Sequence, residues 1–116
     1  MSNVPILLGQ PSAGPLPGAD AETPQGPAGP ITVFPDGRFY PDSKNGIPVG
    51  AVCNYVTGDC TGGYQPGSYG ARMIILLHEL AHKVNLVPSD RLSTSQSDIN
   101  TQTVMQNCAS TVGPQQ

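Results

Sequence analysis

One stretch of this chain is both long enough and apolar enough to form a buried helix. It is residues 71–85, ARMIILLHELAHKVN. The rest is heavily punctuated: 14 glycines and 13 prolines in 116 residues exceed average usage well enough to break most regular structure. Any fold must therefore be organised about that helix. Met73, Ile74, Ile75, Leu76, Leu77, Leu80, Ala81 and Val84 make it apolar nearly all round, which predicts burial. The polar residues that break the run include His78, Glu79 and His82, and the two histidines are the only ones in the chain.

Their spacing carries chemistry. Residues four apart on a helix project from one face, one above the other. Neutral imidazole is a preferred zinc ligand, so His78 and His82 can fill two corners of a tetrahedron. Glu79 comes directly after the first ligand and can lean towards a water as general base. Ionisable groups are rare in an apolar helix unless paired or bound to metal.

This His-Glu-Leu-Ala-His segment resembles the active-site helix of the zincin metallopeptidases. The resemblance covers the helix and a few residues beyond its end. It implies ligand, base and ligand roles for His78, Glu79 and His82, a zinc ion as cofactor, and a peptide or protein as substrate. It also implies a small twisted sheet lying on the active-site helix.

A catalytic zinc usually has three protein ligands. No histidine lies beyond His82, and the only glutamates are Glu22 and Glu79, so a downstream glutamate is excluded as the third. The zincins of the metzincin type turn the chain at a glycine, then present His or Asp. Here Asn85 stands at the turn and Pro88 at the ligand position. Asp90, two residues further on, is the first choice for the third ligand, then Asp98 and Asn100. The aspzincin motif GTxxD is absent. Tyr64, Tyr69 and Arg91 are candidate donors to an oxyanion.

The remaining chain reads as short elements. Residues 3–9 suit an edge strand, because Pro5 forbids a central one. Residues 1–30 form an extended Pro/Gly-rich segment, and 31–116 the folded domain. Within that domain, residues 31–34 read as a strand with 38–40 pairing back as a hairpin arm. Residues 49–56 read as a strand and 57–63 as loop. Ser68 is a possible N-cap, Asn85 suits the left-handed position that ends a helix, and Pro88 bars continuation. Ser93 with Gln96, and Ser95 with Asp98, are overlapping capping boxes for a second helix over 96–109. Its narrow apolar face would carry Ile99, Val104 and Cys108.

Three cysteines, Cys53, Cys60 and Cys108, allow one internal bridge: 53–60, 53–108 or 60–108. A disulfide implies an extracytoplasmic home. Formal net charge is −3, which argues against nucleic acid or an anionic membrane as partner. No run reaches the ~18 apolar residues of a membrane span. The N-terminus lacks the basic and long apolar regions of an intact signal peptide.

The expectation is an α+β domain holding zinc on His78, His82 and Asp90, with Glu79 as base for peptide-bond hydrolysis. The rival reading is a zincin-like domain without activity, serving as a metal-binding, structural or interaction module, or the effector or toxin end of a longer polypeptide.

Overall fold

In the computed structural model, residues 6–8, 20–43, 46–54, 56–90 and 93–112 are described. The fold is α+β. It comprises five short strands, β1 (Ile6–Leu8), β2 (Ala21–Glu22), β3 (Ile31–Val33), β4 (Val52–Asn54) and β5 (Asp59–Thr61), and then two helices, α1 (Tyr69–Lys83) and α2 (Thr94–Val112).

The β-branched run Ile31-Thr32-Val33 favours extended backbone and forms the centre of a three-stranded mixed sheet. Ile31 and Val33 point into the core while Thr32 is half-buried, the alternation a pleated strand imposes. β1 runs parallel to β3, with Ile6 opposite Ile31; β2 runs antiparallel on the other side, with Ala21 opposite Val33. Strand β1 is thus an edge strand, as Pro5 demanded.

Two expectations change here. Residues 38–40 do not pair back on β3; they wind through successive turns, Gly37 N–H donating to Phe34 O and Tyr40 N–H to Gly37 O. The cause is Arg38. Its backbone N–H and its Nη2 each donate to the Asp20 carboxylate at 2.7 Å, and its Nη1 donates to Ile47 O at 2.9 Å. The antiparallel partner of β3 is instead β2, within the stretch expected to be extended and Pro/Gly-rich.

The 57–63 segment is also not plain loop. Its residues 59–61 form β5, paired antiparallel with β4 so that Cys53 faces Cys60. Asn54 Oδ1 accepts from Val56 N–H at 3.0 Å and Thr57 N–H at 3.2 Å, and Gly58 adopts φ 80°. That side-chain turn and the left-handed glycine close the hairpin. Cys53 and Cys60 form the disulfide and Cys108 is free.

Helix α1 begins where expected. Ser68 Oγ accepts from Ala71 N–H at 3.1 Å, satisfying one orphan donor of the first turn. Gly70 has a packing reason: a Cβ there would lie 2.1 Å from Cδ1 of Tyr64, a ring only 2% exposed. The helix ends with Asn85 at φ 56°. Asn85 N–H donates to His82 O at 3.2 Å and Leu86 N–H to Ala81 O at 2.9 Å, the paired bonds of a Schellman end.

Helix α2 starts at Thr94 and ends at Val112, longer than 96–109 at both ends. Ser93 is its cap, accepting from Gln96 N–H at 3.1 Å, so Ser95 falls inside the helix. Its buried stripe is Asn100, Val104 and the partly buried Cys108, whereas Ile99 is exposed. Positions four apart lie on one face, and Ile99 falls one residue off that face.

The core gathers Val49, Tyr64, Ala71, Ile74, Ile75, Ala81, Val87 and Val104, with Met73 and Leu77 partly buried against it. Helix α1 is buried against α2 and the mixed sheet, but not on every side, since Arg72 and Val84 are exposed. Among the described residues no helix is long and apolar enough to cross a membrane.

Candidate metal centre

The HELAH turn lies in the C-terminal half of α1, and helical geometry puts His78 and His82 side by side. Their ring centroids are 5.0 Å apart, and both residues are buried, as is Glu79. The chain then reverses at Asn85, dips to bury Val87, and returns past Pro88 towards the same face. This exit loop delivers Asp90. Its Oδ2 lies 2.7 Å from His78 Nε2 and 3.1 Å from His82 Nε2.

His78, His82 and Asp90 thus offer ligand atoms that all lie within 4.8 Å of one another. The group could hold a metal ion. Two imidazole nitrogens and one carboxylate oxygen match the donors that zinc accepts. The remaining ring nitrogens are occupied as well: His78 Nδ1 meets Thr101 Oγ1 at 2.9 Å and His82 Nδ1 meets Gln25 Oε1 at 2.8 Å. Ligating histidines are commonly oriented through their second nitrogen in this way.

Asp90 is held by its own scaffold. Asn100 Nδ2, from the buried face of α2, donates to Asp90 Oδ2 at 3.0 Å and to Pro88 O at 2.8 Å. Asn100 Oδ1 in turn accepts from Gln96 Nε2 at 2.8 Å. Asn100, one of the two alternatives for third ligand, is therefore the residue that places Asp90. Asp98 sits on the exposed side of α2 and lies outside the group.

The two carboxyls of the site are shifted in opposite directions. Partial burial works to raise the Asp90 pKa, but hydrogen bonds from His78, His82 and Asn100 and the charge of His78 outweigh it. Asp90 is held well below the usual carboxylate range. Glu79 goes the other way. Burial, then the negative charges of Asp90, Asp20 and Glu22, push its pKa up to about 8, against a lowering pull from Lys83. Burial penalises the charged form of an acid, and like charges add to that penalty.

Comparison with protein-family models, with curated proteins and with solved structures finds no match. The site therefore rests on its own geometry.

The oxyanion candidates fare differently. Tyr64 is buried in the core against Gly70. Tyr69 is exposed on the first turn of α1. Arg91 lies outside the described residues. Sequence reasoning missed Gln25 and Thr101, which stand 57 and 23 residues from the histidines they touch. It also missed Lys83, a buried ammonium that donates to Ala28 O at 2.6 Å and to Gly29 O. Helical position four after Glu79 was a usable signal for Lys83; nothing local marked Gln25.

Proposed function

We propose that this protein is a small zinc-dependent peptidase of zincin type. The observation that carries the reading is the convergence of His78, His82 and Asp90 beside Glu79, with each ligating side chain already anchored by a separate partner. Zinc bound there would supply Lewis acidity and make a coordinated water a nucleophile near neutral pH.

The chain's own residues do the rest. Asp90, fully ionised, offsets the positive charge of a divalent ion. Glu79, on the turn that carries both histidines, takes a proton from the attacking water and returns it to the leaving amine. Burial raises the pKa of this carboxyl in the metal-free chain; a dication bound beside it would favour the ionised form that a base needs. The substrate is a peptide or protein in this reading. Nucleic acid and anionic membranes are disfavoured as partners by the net charge of −3.

The Cys53–Cys60 disulfide suits an oxidising, extracytoplasmic environment, and secretion belongs to the same proposal. The test is zinc content and cleavage of an unstructured protein by the purified chain. Near one zinc per chain, with cleavage abolished by chelator and by Glu79→Gln, supports the reading. Cleavage that survives Glu79→Gln removes Glu79 from the mechanism.

A second reading is a zincin-like metal-binding domain without hydrolysis. The raised pKa of Glu79 favours it, because a protonated Glu79 is no base. Stoichiometric zinc with no cleavage at any pH up to about 9 would select it.

A further inference from the structure

Gln25 lies in the Pro/Gly-rich segment, yet every polar atom of its side chain is engaged. Nε2 donates to the backbone oxygen of Val87 at 2.9 Å and to Asn85 Oδ1 at 3.0 Å. Oε1 meets His82 Nδ1 at 2.8 Å. The neighbouring Gly26 N–H donates to His82 O at 3.0 Å, and Lys83 Nζ donates to the carbonyls of Ala28 and Gly29. The segment is thus fastened to the last turn of α1 at three successive points.

These bonds fix more than position. A backbone carbonyl accepts only, so the bond to Val87 O puts the amide nitrogen of Gln25 on that side. The amide oxygen then faces His82, and His82 Nδ1 must carry the hydrogen. In the neutral ring His82 Nε2 is then a lone pair directed at Asp90 Oδ2, 3.1 Å away, whereas a protonated ring would donate there. Two acceptors at that distance call for a cation between them. The contrast with His78 is informative, because the Thr101 hydroxyl on its Nδ1 can donate or accept and imposes no tautomer.

We propose that Gln25 is a positioning residue of the metal centre. It holds His82 in the Nδ1–H tautomer, so that Nε2 faces the site ready to ligate. The inference rests on the metal-site reading for its consequence, but the tautomer itself is a property of the metal-free protein. Without Gln25, His82 gains more by placing its hydrogen on Nε2 and donating to Asp90. That arrangement has to be undone before any ion binds.

The experiment compares wild type, Gln25→Leu and Gln25→Glu. Long-range proton–nitrogen NMR of the imidazoles in metal-free protein at about pH 9, above the ordinary imidazole range, reads the tautomer. Competition with a chromophoric chelator reads zinc affinity. Wild type should show His82 as Nδ1–H. Gln25→Leu should shift it to Nε2–H and weaken zinc binding by about 10- to 100-fold, the usual cost of losing an outer partner. Gln25→Glu keeps the acceptor while losing both donors, so it should retain the wild-type tautomer and affinity.

A Gln25→Glu variant as weak as Gln25→Leu would mean that Gln25 merely staples the exit loop, and the proposal falls. So would an unchanged tautomer and affinity in Gln25→Leu. A wild type that binds no zinc ends the metal reading alone, and the tautomer comparison still decides what Gln25 does. The amide dispersion of each variant shows whether it is folded.

Discussion

Asp90 Oδ2 lies within hydrogen-bonding distance of both His78 Nε2 and His82 Nε2, at 2.7 and 3.1 Å. One carboxylate oxygen thus stands where a cation shared by the two rings would be neutralised. Asp90→Ala should therefore weaken zinc binding by more than the about 10- to 100-fold that loss of an outer partner causes. Asp98→Ala should leave it unchanged, since Asp98 sits on the exposed side of α2. Calorimetric titration with zinc checks both. Equal losses in the two variants would put the third ligand elsewhere.

Asn100 is 1% exposed and bonded to Asp90, Pro88 and Gln96 at once. Asn100→Ala strands the Pro88 carbonyl and frees Asp90 to swing. Losing a hydrogen bond to a charged group costs about 1.5–3 kcal/mol. The variant should lose that much in urea denaturation of the metal-free protein and bind zinc more weakly as well. A drop in stability with zinc affinity intact would show that Asn100 supports the loop without placing Asp90.

The HELAH site was legible because a helix converts spacing into geometry without help from the rest of the fold. His78, Glu79 and His82 needed only α1 to form. Asp90 was reachable by elimination, since the exit signals at Asn85 and Pro88 kept it near the helix end. The sheet was harder. Residues 38–40 carry strand-like side chains, but Arg38 is recruited by Asp20, and no local pattern announces an ion pair 18 residues away. Strand β2 escaped notice because two residues paired to β3 leave no periodicity to detect. Gln25 escaped for the same reason: its role depends on a contact 57 residues off.

Glu79 makes stability depend on pH in a defined direction. Its pKa is raised from 4.5 to about 8 in the folded protein, so the folded state binds the proton more tightly than the unfolded one. That contribution is fully present below pH 4.5 and is lost as pH rises towards 8. Glu79→Gln has no proton to lose. Metal-free Glu79→Gln should match wild type near pH 4.5 and be more stable by about 4 kcal/mol near pH 8. Asp90 acts oppositely: its lowered pKa stabilises above its ordinary value of 3.8 and is lost on acidification. Denaturant titrations across this range check the sign; a wild type that gains on the variant with rising pH contradicts it.

Gly70 should resist replacement although it sits in a helix. Alanine there gains about 1 kcal/mol of helix propensity. Its Cβ, however, would fall 2.1 Å from Cδ1 and 2.5 Å from Cε1 of Tyr64. That ring is 2% exposed and packed in the core with Ala71 and Ile74, so it cannot simply swing into solvent. Overpacking a core typically costs about 1–3 kcal/mol. Gly70→Ala should be destabilised on balance, and Gly70→Ala with Tyr64→Leu should recover part of the loss by making room. A thermal melt of the two variants distinguishes this from a simple cap effect, which the second substitution would not relieve.

The disulfide and the metal centre should prove separable. Cys53 and Cys60 staple the β4–β5 hairpin across a sequence separation of seven. Closing so short a loop contributes about 2 kcal/mol in the chain-entropy account. The hairpin carries the exposed Val52 on its first strand and the exposed Val56 in its turn. It joins the body through the Val49–Tyr64 bridge and through Gln102 Nε2, which donates to Gly50 O at 3.0 Å. The side chains that anchor His78, His82 and Asp90 are Thr101, Gln25 and Asn100, all outside the hairpin. Replacing both cysteines by serine should therefore lower the melting temperature while leaving zinc affinity within about threefold of wild type, because sites without shared partners behave nearly additively. A parallel fall in zinc affinity would mean that Tyr64 transmits hairpin order through Gly70 into α1, and would tie the redox state of the hairpin to the metal centre.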